Sequence, residues 1–230
     1  MGGNPLGGAM FNYFSDIFGI ITKLDPTTEN GGLFFAHYIT LKLILGQPLT
    51  QFDYDLFDKK MSQAQVAEGL YLRSKHHTVR TVSHDEITGM VVTSYVMKTN
   101  HGDSIMKYLE THFGNYPATG ENYWHQPSNY YMWGLLSNRK WTTVFAPLYM
   151  ISFYIALSKD KQHTSSRLIY FIELYQAKNI SPIANKLWKV FVQHCRDLYG
   201  EFWVHELFKI YFYHESPDFP LLELSKDIKL

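Results

Sequence analysis

The sequence predicts an all-α fold of about nine short helices packed as antiparallel pairs, and three observations carry that expectation. Apolar residues recur at spacings of three and four along most of the chain. Helix punctuation recurs between these runs, most clearly at Ser181-Pro182, where a cap residue precedes proline at the first helical position, and at Gly46 and Gly200 as stops. No segment alternates with period two, and no Asn-Gly or Asp-Gly pair joins two alternating runs.

Residues 1–9 read as a glycine-rich lead-in, residues 10–215 as one helical domain and residues 216–230 as a tail. The first helix spans residues 10–21 and ends before Asp25-Pro26. The second, residues 32–45, carries Leu33, Phe34, Tyr38, Leu41 and Leu45 on a broad apolar stripe. Thr50 with Asp53 opens a third, expected to turn Phe52, Leu56 and Phe57 inward. Residues 69–82 hold Arg73, Lys75, His76, His77 and Arg80 without periodicity and read as a basic loop. Ser83 with Glu86 is the signature of a capping box, and Ile87, Met90, Val91, Ser94 and Met97 continue its helix. Further helices are expected at residues 103–113, 128–136, 147–158, 165–178, 182–199 and 201–213. Between residues 114 and 128 lies the longest loop, rich in Tyr and Trp.

Composition narrows the function classes. Lys plus Arg and Asp plus Glu number 21 each, so no net field steers the chain to nucleic acid or an anionic bilayer. Residues 141–157 are uncharged, but Pro147 is expected to divide them, which favours a buried core helix over a membrane span. Cys195 is the only cysteine, which excludes an intramolecular disulfide and suits a buried thiol. No His-Glu-x-x-His, Cys-x-x-Cys, calcium-loop, phosphate-loop or dinucleotide pattern occurs, so neither metal nor cofactor is expected. Aromatic residues make up 17% of the chain, a share that suits a core, an interface or a ligand groove.

Two stretches carry candidate chemistry. His84, Asp85 and Glu86 stand at a helix start, where the helix dipole favours ionised carboxylates; Asp85 reads as a general base and Glu86 as the closing arm of the capping box. All three equally read as residues that only cap and solubilise the helix. In the aromatic loop, Glu121, Tyr123, Trp124 and His125 combine flat rings with groups that meet hydroxyls, as a sugar site requires, or else plug the helix ends. Arg80 could hold an anionic group or lie solvated in its loop.

With Asn30-Gly31-Gly32 opening one helix, Ser83-His84-Asp85-Glu86 another and an aromatic loop between later ones, residues 25–215 resemble the helical toroids of carbohydrate-active proteins. The glycine-rich start also resembles uncharacterised phage-encoded helical proteins. The first resemblance implies an incomplete (α/α) toroid that binds or cleaves an oligosaccharide or polysaccharide. Asp85 would then be base and Glu121 acid, with Tyr123, Trp124 and Tyr131 as stacking platform, His84, Glu86, Arg80 and Trp133 lining the site, and His125 with Tyr123 handling the proton in a lyase variant. The competing expectation is a non-enzymatic interaction or assembly protein, viral in one version and open to homo-oligomerisation, with its aromatic surface against a partner.

Overall fold

The computed structural model describes residues 31–44, 46–72, 82–116, 127–159, 164–204 and 206–207. Among them run eight α-helices and one small hairpin: α1 (Gly31–Ile44), α2 (Gln51–Ala64), β1 (Gln65–Ala67), β2 (Leu70–Tyr71), α3 (His84–Val96), α4 (His101–Thr111), α5 (Pro127–Leu136), α6 (Thr142–Lys159), α7 (Thr164–Ala177) and α8 (Pro182–Tyr199), followed by a 3₁₀ turn at Gly200–Phe202. The all-α class is as the periodicity implied. The expected helix at residues 10–21, the lead-in and the tail lie outside the described residues; of the helix expected at residues 201–213, the start is the 3₁₀ turn, residues 203–204 and 206–207 are helical, and residues 208–213 lie outside.

The middle of the fold is α3. Every residue from Glu86 to Ser94 is buried, on all sides of the helix, because α1, α4, α5 and α7 all pack against it. Its pairing with α1 is the most extensive, and two glycines make that closeness possible. A Cβ on Gly89 would fall 2.2 Å from the Gly32 carbonyl, and one on Gly32 would fall 2.7 Å from the Glu86 backbone oxygen. The two helices therefore touch backbone to backbone.

Helix α2 begins with a full capping box between Thr50 and Asp53. Its inward stripe is Asp53, Phe57, Met61 and Ala64, whereas Phe52 is exposed and Leu56 half-buried, contrary to the apolar stripe read from the sequence. A carboxylate can lead that stripe because it is fully hydrogen-bonded. Asp53 accepts from Tyr38 Oη at 2.8 Å, Lys42 Nζ at 2.7 Å and the Thr50 backbone N–H at 2.6 Å. Burial by itself would raise its pKa, but these donors outweigh burial and hold it below the ordinary carboxylate value.

The hairpin corrects a second expectation, since residues 69–72 were read as the start of a basic loop. Strands of three and two residues are too short to alternate visibly. Gly69 turns between them with φ +73°, and Tyr116 fastens the turn, accepting from the Tyr71 N–H at 2.6 Å and donating to the Gly69 carbonyl at 2.9 Å. The third correction concerns α6, which runs unbroken through Pro147 instead of starting there. Pro147 has no N–H to give the Thr143 carbonyl, one bond forgone near the helix start, and the following turns continue regardless. No helix among the described residues is long and apolar enough to cross a membrane.

Candidate functional site

Ser83 Oγ accepts from the Glu86 N–H at 3.2 Å, which is one half of the expected capping box. Glu86 does not supply the other half. Its carboxylate is 1% exposed and turns toward α1, accepting from the Gly32 N–H at 2.5 Å, with Lys60 Nζ at 3.3 Å. Because Gly32 lies in the first turn of α1, Glu86 caps that helix from across the crossing, doing what an N-cap side chain does within one helix. This fixed structural use removes Glu86 from any open cleft. His84 and Asp85 stay half-exposed beside it.

Tyr131, expected in a sugar-stacking platform, and Trp133, expected to line the site, are 4% and 0% exposed. Tyr131 stacks on Tyr149 with centroids 4.5 Å apart, so its flat face is occupied by the core. Arg80, Glu121, Tyr123, Trp124 and His125 lie outside the described residues. Cys195 is buried as expected, and burial pushes its thiol up to about 12, too high for a thiolate nucleophile at neutral pH. No group of three or more His, Cys, Asp or Glu among the described residues could hold a metal ion.

A feature that sequence reasoning misplaced is the outer face of α6. Ala146, Tyr149 and Phe153 turn inward and are buried, while Val144, Leu148, Ile151 and Ile155 turn outward at 73%, 54%, 56% and 47% exposure. Phe145 and Tyr154 flank that stripe, also exposed. The helix rests on α5 and, less extensively, on α8, and its third side carries no covering element among the described ones. The signal for this was present in the sequence: residues 141–158 contain no charged side chain, and a helix apolar all round must be covered all round. Enclosure by the chain's own core was the expectation, and it holds for one face only.

A polar groove of about 290 Å³ lies elsewhere, where α3 and α5 end and α4 begins. Both helices stop in the same way. Lys98 and Asn138 adopt φ +55°, the Thr99 N–H donates to the Ser94 carbonyl at 2.9 Å, and the Arg139 N–H donates to the Gly134 carbonyl at 2.8 Å. Tyr95, Asn100 and Asp103 are among the lining residues, and Asp103 pairs with Arg139 at 3.3 Å. About 15 Å of helix separates Asp85 from Tyr95, so the groove is not the site read at the start of α3.

Comparison with known protein families, curated proteins and solved structures finds no match to this chain.

Proposed function

We propose that this chain is a non-enzymatic interaction and assembly protein whose docking surface is the outer face of α6. The carrying observation is the stripe of Val144, Leu148, Ile151 and Ile155 with Phe145 and Tyr154 beside it. Together these side chains expose roughly 500 Å², comparable to the largest patches of ordinary monomers at about 300–600 Å², which are often functional. Aromatic enrichment and the lack of charge are the composition of an interface centre. The test is labelling of Leu148→Cys with a maleimide at high dilution, where Cys195 stays inert through burial. Rapid labelling of the folded monomer is expected; protection under those conditions would mean that the chain covers α6 itself, and the reading would fall.

A second reading keeps the glycan expectation in a reduced form, as binding without cleavage, and the polar groove favours it. Tyr95 is 40% exposed beside Asn100, Asp103 and Asn138, a ring face next to groups that exchange hydrogen bonds with hydroxyls. Titration with oligosaccharides followed by calorimetry should give heat that Tyr95→Ala loses at least tenfold in affinity. Equal binding by the variant would dismiss the groove.

A further inference from the structure

We infer that the partner seated on α6 is a second copy of this chain, with α6 packed on α6 across a twofold axis; this rests on the proposed interaction role. Three features of the face commit it to that occupant. The first is area: roughly 500 Å² exposed on each copy gives roughly 1,000 Å² when paired, the lower bound for a specific interface.

The second is symmetry. An isologous contact requires a face complementary to itself. From Val144 to Ile155 the stripe extends about 16 Å with branched aliphatic side chains along its whole length. An axis passing between Leu148 and Ile151 sets each of these against the other on the facing copy, while Phe145 and Tyr154 form the flanks.

The third is charge. No charged residue lies between Thr142 and Ser158, so two such helices meet without burying an ion or opposing like charges at the centre. By sequence the net positive charge lies at the two ends, in Arg139 and Lys140 before the helix and in Lys159, Asp160 and Lys161 at and after its close. In a self-pair these ends repel weakly, so added salt strengthens association. With an acidic partner the same ends would attract, and salt would weaken it.

Light-scattering mass of the full chain across about 1–100 μM, at low and high salt, tests the inference. Expected are a concentration-dependent dimer favoured by salt, at least a tenfold loss of association in Ile151→Glu with an unchanged helical circular-dichroism spectrum, and a covalent dimer on oxidation of the double variant Leu148→Cys/Ile151→Cys, whose two positions face each other across the axis. A monomer at all concentrations in which Leu148→Cys labels freely would overturn self-pairing and leave the interaction role standing. A monomer in which that cysteine is protected would overturn both. A dimer that survives Ile151→Glu would place the contact on another surface and overturn the inference alone.

Discussion

Glu173 on α7 is a buried acid held far from its ordinary state. It is 0% exposed, and neither carboxyl oxygen makes a well-formed hydrogen bond among the described residues. Burial holds its pKa well above 4.5, with the neighbouring Trp133 indole opposing to a smaller extent, so the folded protein keeps this carboxyl protonated. The unfolded chain ionises it near 4.5, which means the folded state binds one more proton above that pH and stability falls as pH rises toward the folded pKa. Glu173→Gln removes that slope. Its stability relative to the parent should therefore grow from about pH 5 upward until the folded carboxyl itself ionises, by at most about 1.4 kcal/mol per unit, in urea unfolding. A difference that is flat with pH would refute the account. His37 has the opposite slope, since burial lowers it to about 3 and the unfolded imidazole takes a proton below 6.5. None of this was legible in the sequence, because Glu173 sits in an ordinary helical run and only packing decides which residue of that run faces inward. Ser83 was legible as a cap, because its acceptor role is local. The destination of the Glu86 carboxylate was not, because the N–H it meets lies 54 residues earlier in the chain.

At the scale of elements, punctuation was read better than interiors. Ser181-Pro182 opens α8 and Gly200 closes it, both as the sequence implied, since caps are decided by neighbours in the chain. Pro147 was read too strongly. Proline forbids one hydrogen bond and crowds one carbonyl, and burial of Tyr149 and Phe153 on the inner side of α6 outweighs that loss. Pro147→Ala restores the missing donor at an exposed position and should stabilise the protein by roughly 1 kcal/mol, seen as a raised urea midpoint with unchanged slope. An unchanged or lowered midpoint would show that Pro147 is better adapted to its place than this reasoning holds. The hairpin escaped notice for a different reason: its stability comes from Tyr116, 45 residues beyond Tyr71, and not from strand propensity.

For the molecule as a whole, the fold class was legible and the neighbour relations were not. Period and punctuation identify helices, but nothing in a single run says that α3 is the helix the others surround, apart from the small residues Gly89 and Ser94 along it. Gly89 is where that arrangement is most exposed to change. Gly89→Ala would drive a methyl group into the α1 backbone, where neither side is a flexible side-chain end. The expected loss is about 3 kcal/mol or more in thermal or urea unfolding, and a loss below about 1 kcal/mol would mean that the two helices can part without consequence. Of the candidate site, Asp85 and His84 remain half-exposed, Glu86 is committed to the core, and the aliphatic face of α6 emerged only once the packing on its other side was known.

The carboxylate of Glu86 that completes the first turn of α1 also sets a clock. During synthesis, α1 leaves the ribosome with its leading amide lacking that acceptor until 54 more residues have followed. At about 5–20 residues per second that interval is roughly 3–10 s, long compared with the microseconds in which a helix can form. Through that interval the nascent α1 lacks both that acceptor and the surface of α3, and the arrival of α3 both seals its end and covers its side. Chaperone contacts with the nascent chain should accordingly concentrate on α1 and cease once α3 has emerged.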